Sequence, residues 1–164
     1  MRNKYNYAIV NIVGHCPIVH RKLIEQASNY YLCLMMSKHI VRKIVLDVKV
    51  IRNERMGGDE GSCVVIDCDG QNNPRHFEIE LASKTNTKTL LYNLAHEMVH
   101  VKQFALKELN EGQTMWLGKY YDDKKISYWD LPWEIDAYGR ERGLYSRFIH
   151  KFNLLSIQKE ELQA

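Results

Sequence analysis

The sequence predicts an α+β fold, a small and mostly antiparallel sheet with helices packed on one face. Three observations predict it. Apolar and polar residues alternate over Ile44–Ile51, the period of a half-buried strand. A nearly continuous apolar pattern at spacings of three and four runs from Asn86 to Leu109 without Gly or Pro, the mark of an interior helix. The elements come in the order helix, strands, helix, helix, with no internal repeat and no low-complexity linker, which reads as one domain over residues 1–164.

Taken in chain order, Tyr5 to Val13 is β-prone. Pro17 to Ser37 reads as a helix with Val19, Leu23, Ala27, Tyr30, Tyr31 and Leu34 near one face. Ile44–Ile51 is the strand noted above, and Met56 to Gly61 is a turn or mobile loop. Cys63–Asp67 and His76–Leu81 are strands joined by the polar loop Asp69 to Pro74. Thr85, Asn86 and Thr87 offer caps for the next helix, and Gly112 is its stop signal. Gly112 to Asp130 is a loop rich in aromatic residues. A last helix follows from Pro132 to Phe152, with Asp130 as its expected cap and a tail from Ser156 that frays.

Composition excludes several classes. Hydrophobic residues make up 45% of the chain and charged residues 26%, ordinary for a soluble globular protein. The net charge of +3 is dispersed, which argues weakly for nucleic-acid binding. Four cysteines occur without a C-x-x-C pair, so neither a zinc ribbon nor a tight disulfide framework is expected; free buried thiols in a reducing, cytoplasmic setting are the simplest reading. No apolar run is long enough to cross a membrane, and the N-terminal apolar stretch is too short and interrupted for a signal peptide.

The chemistry concentrates in His96-Glu97-Met98-Val99-His100, an H-E-x-x-H pattern. On a helix the two histidines project from one face a turn apart, so both can reach one Zn²⁺, while Glu97 can take a proton from the metal's water. Asn93, His96, Glu97, His100 and Gln103 form a polar stripe on this otherwise apolar helix. Buried polar groups need partners, and a metal with its water would supply them.

A catalytic zinc takes a third protein ligand. Gln103 and Leu106 stand where the metzincin pattern requires Gly and His, which excludes that class. Glu134, in the first turns of the last helix, is the best candidate, and the small Ala137 on nearly the same face lets that helix approach the histidines. Glu134 could instead serve only the helix dipole. Asp136 projects about 200° away from Glu134 and is assigned a structural or supporting place. Glu141 has the right direction to orient a ligating histidine. His150 and His76 are rival ligands, the first too far along the helix and the second on another element.

The pair His96-Glu97-x-x-His100 and Glu134-x-x-Ala137 resembles gluzincin-type metallopeptidases in their compact forms, such as SprT-like and ImmA-like proteins and small phage or viral relatives. In ImmA-like peptidases an E-x-x-A motif supplies the glutamate ligand. SprT-like proteins usually use a third histidine and many carry a zinc ribbon, and this chain matches neither feature. The resemblance implies a zincin-like fold, zinc held by His96, His100 and Glu134, and Glu97 as general base in peptide-bond hydrolysis. It places the strand His76–Leu81 at the edge of the cleft, where a peptide substrate could add as a strand, with an ordinary sheet strand as the equal alternative. Tyr128 and Tyr138 are oxyanion-donor candidates by location, or else cleft-wall aromatics. Two other readings stay open: a non-catalytic module that keeps zinc for stability or interaction, and a DNA-associated SprT-like protease. The sequence does not specify a substrate.

Overall fold

The computed structural model describes residues 7–14, 16–51, 61–83 and 85–154 of the chain. It opens with a strand–helix–strand unit. β1 (Ile9–Gly14) leads into α1 (Ile18–Met35), a short α2 (Lys38–Val41) and then β2 (Val45–Ile51), which lies parallel to β1 from Ile9↔Val45 to Gly14↔Val50. β3 (Gly61–Cys68) and β4 (Pro74–Ala82) form an antiparallel hairpin, and β4 runs parallel to β2. The strand order is β1-β2-β4-β3.

The architecture is α+β, but the sheet is mixed, and its β1–β2 and β2–β4 pairings are both parallel. This corrects the expectation of a mostly antiparallel sheet. The cause lies in the connections. α1 carries the chain back to the end of the sheet where β1 began, as a parallel pair requires. The hairpin then places β3 outside β4, so β4 enters beside β2 in the same direction. A second correction follows: β4 has neighbours on both sides, and the sheet edge on that flank is β3.

Leu46, Val48 and Val50 of β2 and Phe77, Ile79 and Leu81 of β4 point to one face. They pack there with Ile24, Ala27, Tyr31 and Leu32 of α1 and with the apolar side of α3 (Thr87–Ala105). The face of α1 matches the expected one in part: Ala27 and Tyr31 are buried, and Leu23 and Tyr30 pack against the core. Val19 and Leu34 are exposed, and the inward stripe contains Ile24, Ser28 and Leu32, because α1 sits between the sheet, α3 and α4 (Pro132–Lys151). Gly14, with φ +95°, ends β1 where a Cβ would sit 2.4 Å from the Val50 carbonyl oxygen, so only glycine fits without displacement. The Arg21 guanidinium donates to the carbonyls of Ile12, Gly14 and Cys16 and ties this turn to α1.

The opposite sheet face mixes exposed Ile9, Val13 and Val64 with a polar cluster. Asp47 accepts from Asn11 at 2.8 Å and lies 2.7 Å from His76 Nε2, and Lys49 pairs with Glu78 at 2.7 Å. The hydrogen bond from Asn11, opposed by partial burial and reinforced by His76, holds the Asp47 carboxyl below its ordinary value. Such a group stabilises the fold above the unfolded carboxylate range and loses that contribution as pH falls through its lowered value. Asp47→Asn is therefore expected to cost less than about 1 kcal/mol at neutral pH, because the pair is partly solvated, and the difference should vanish in acid. Urea unfolding of both proteins across pH checks this.

The Asn86 side chain caps α3 by accepting from Thr89 N at 2.8 Å. The helix ends at Ala105, before the expected Leu109. Lys107 takes a left-handed conformation (φ 58°), Glu108 N donates to Gln103 O and Lys107 N to Phe104 O, a Schellman closure built without glycine. Buried Leu109 then bridges to Trp116 in a small hairpin of β5 (Met115–Trp116) and β6 (Lys119–Tyr120), which occupies part of the expected loop. Asp130 does not cap α4. It belongs to a 3₁₀ turn at Tyr128–Asp130, and Leu131 is the N-cap, followed by Pro132 in the first turn, where its missing N–H costs nothing.

All four cysteines are free, and only Cys63 is buried, so the expectation of buried thiols holds at that position alone. Among the described residues no helix is long and apolar enough to cross a membrane. The expected loop from Met56 and the tail from Ser156 lie outside the described residues, apart from Gly61, which begins β3.

Candidate metal centre

α3 and α4 pack against each other through buried Trp133 and Ala137, and their contact brings the polar stripe of α3 opposite the first turns of α4. His96 Nε2 and His100 Nε2 lie 3.2 Å apart. Glu134 Oε2 is 3.2 Å from His96 Nε2, and Glu134 Oε1 is 3.6 Å from His100 Nε2. The three residues are the group that could hold a metal ion among the described residues, and each is buried.

The outer ring nitrogens fix how the imidazoles are protonated. His96 Nδ1 lies 2.9 Å from Glu141 Oε2, and a carboxylate can only accept, so Nδ1 carries the proton. His100 Nδ1 lies 2.8 Å from Gln103 Oε1. The Gln103 amide nitrogen donates to the Trp133 carbonyl at 2.9 Å and to Asp136 at 3.2 Å, which leaves Oε1 as the acceptor, so His100 Nδ1 also donates. Both Nε2 atoms therefore present lone pairs, and a carboxylate faces them. Three buried acceptors converge with no donor among the three, an arrangement that a cation would satisfy.

The electrostatics carry the same signature. Burial opposes charge on His96, but hydrogen bonds to Glu134 and Glu141 outweigh it and raise its pKa to about 9. His100 is raised for similar reasons, burial again opposing and Glu134 prevailing. Burial would raise Glu134, yet His100, His96 and the Tyr128 hydroxyl hold it far below the ordinary carboxylate range. Tyr128 donates to Glu134 Oε2 at 2.7 Å.

The fit to zinc can be tested on the spacing. Tetrahedral bonds of about 2.0–2.1 Å place two nitrogen ligands about 3.3 Å apart, close to the observed 3.2 Å. Two imidazoles and a carboxylate are also a donor set that zinc accepts.

Glu97 stands beside this group and outside it. It is 5% exposed, lines the same cleft, and its Oε1 lies 2.6 Å from the place a Cβ would take on Gly61. Glycine at the start of β3 thus makes room for the Glu97 carboxylate. The neighbouring Cys63 thiol is pushed up first by burial and then by the charge of Glu97, so it stays a neutral thiol. The cleft has a volume of about 680 Å³ and runs between β3 and the start of α4.

The structure therefore brings His96, His100 and Glu134 together, with Glu97 at their side and Glu141 on His96. Asp136 supports Gln103 and also binds Arg140 at 2.6 Å. The rival ligands are elsewhere: His76 is beside Asp47 on the sheet face opposite the core, and His150 is exposed near the end of α4. Three features escaped the sequence reading, namely the link from Gln103 to His100, the Tyr128–Glu134 bond, and β3 as the cleft edge. Only the first had a local signal, since residues three apart on a helix are neighbours. No known family, curated protein or solved structure matches this chain.

Proposed function

We propose that this chain is a zinc-dependent peptidase that hydrolyses amide bonds in the cleft between β3 and the start of α4. The observation that carries the reading is the convergence of His96 Nε2, His100 Nε2 and Glu134 on one buried point at the foot of an open cleft, with Glu97 next to it. These three side chains would hold the ion. When bound, zinc supplies Lewis acidity that polarises a carbonyl and makes water nucleophilic near neutral pH.

The protein's own groups do the rest. Glu97 accepts a proton as the water oxygen adds to the carbonyl carbon, and returns it to the amine nitrogen as the C–N bond breaks. Glu141 and Gln103 keep the imidazoles turned with Nε2 inward. Among the described residues β3 leaves its outer edge unpaired in the sheet, next to the cleft, where an extended peptide could add as a strand. Among the described residues three side chains group as candidate ligands, which supports a catalytic role over a closed structural site, which takes four.

Metal analysis of the purified protein should return about one zinc per chain, as one catalytic site requires. Chelation should abolish cleavage of a mixed peptide library, and added zinc should restore it. A folded protein that takes up no zinc sinks the proposal. Gly61→Ala is expected to keep the zinc and lose about 10²-fold in kcat, since its Cβ must displace the Glu97 carboxylate. Metal content and steady-state kinetics of this variant check it.

A further inference from the structure

One flank of the cleft is an aromatic wall that begins at the metal centre and ends in solvent. The Tyr138 ring meets His96 edge-on at 4.6 Å. Trp129 lies 5.2 Å from Tyr138, and Tyr128 lies 5.4 Å from Trp129. The Tyr128 hydroxyl returns to Glu134 at 2.7 Å, which closes a ring of contacts around this flank. Exposure is 67% for Trp129, 48% for Tyr128 and 40% for Tyr138. Large aromatic side chains normally contribute most when buried, and a contiguous exposed group of them beside a site marks a surface that something covers.

Charge narrows what covers it. Among the described residues, the side chains lining the cleft include Glu97, Glu134 and Glu141 but no Lys or Arg, which disfavours an acidic side chain. Glu134 and Glu141 are engaged with the histidines and Tyr128, so neither is arranged as the counter-ion of a basic one.

We propose that Trp129 and Tyr138 form a subsite for a bulky apolar side chain, preferably aromatic, of the peptide residue lying next to the metal centre. This rests on the peptidase reading for the identity of the ligand as a peptide, but its test does not require cleavage. Ring stacking and removal of the indole face from water together give a preference of about tenfold for Phe over Ala.

The test uses zinc-loaded full-length protein and tripeptides of the form N-acetyl-Ala-X-Ala-amide, with X as Phe, Leu, Ala, Lys or Asp, titrated by calorimetry. Phe and Leu should bind about tenfold more tightly than Ala, and Asp most weakly. Trp129→Ala should remove the preference, Trp129→Phe should restore most of it, and neither should change zinc content. Equal affinities across X, a Lys peptide binding as tightly as Phe, no measurable binding by any peptide, or a preference unchanged in Trp129→Ala would each overturn the subsite. Binding with this preference but without cleavage would leave the subsite standing and count against the peptidase. Cleavage without preference would do the reverse.

Discussion

Glu97→Gln is expected to retain zinc and the fold while lowering kcat by about 10²–10⁴-fold, the usual contribution of a positioned general base. The amide keeps the shape of the carboxylate but cannot accept the proton. Because Glu97 lies outside the group formed by His96, His100 and Glu134, zinc stoichiometry should not change. Its carboxylate sits against Gly61 in a space that an amide also fits, so the thermal midpoint should move little. Paired measurements of metal content and peptide cleavage decide the matter. A variant that loses zinc would make Glu97 a ligand, and one that keeps full activity would remove it from the chemistry.

Glu134→Ala is expected to have the larger effect on binding. Glu134 is the residue of α4 in the group that could hold the ion, and its two oxygens face both histidines. Its loss should weaken zinc by more than the roughly 10–100-fold typical for removing a group that merely orients a ligand. Glu141→Ala supplies that comparison, since Glu141 only holds His96 Nδ1. Without metal, Glu134→Ala also strands two histidines that had a buried carboxylate partner, a change that costs about 3–5 kcal/mol in comparable pairs. Wild-type protein should gain about 4 kcal/mol of stability at a thousandfold excess of free zinc over its dissociation constant, and the variant should not. Competition titrations and thermal unfolding check both statements. Equal losses in the two variants would mean that Glu134 does not ligate.

The parts of this protein that are local in sequence are legible in it. His96 and His100 are one turn apart on a helix whose start is marked by Asn86, so their common direction follows from the helical period alone. Glu134 and Glu141 follow the same logic on α4, where two turns separate the ligand candidate from the group that orients His96. What depends on distant pairing was not legible. Leu46, Val48 and Val50 alternate identically whether β2 has parallel or antiparallel neighbours, so the mixed sheet left no trace in the pattern. The position of β3 outside β4 was hidden for the same reason. Lys107 gives no warning that it will adopt a left-handed conformation, and the end of α3 was misplaced accordingly. On α1 several apolar stripes overlap, and only contact with α3, α4 and the sheet selects the one containing Ile24 and Leu32.

The bond from Gln103 to the Trp133 carbonyl ties the end of α3 to the start of α4, and the chain between them leaves and returns at nearly one place. That segment is a loop closed at its base. The entropy of closing such a loop grows only with the logarithm of its length, about 0.6 kcal/mol for each doubling. Insertions at the exposed turns 117–118 and 123–125, which leave buried Leu109 and half-buried Trp116 in place, are therefore cheap for the fold, while Tyr128 and Trp129 stay anchored next to α4. The rim of the cleft can be re-lengthened without disturbing its floor.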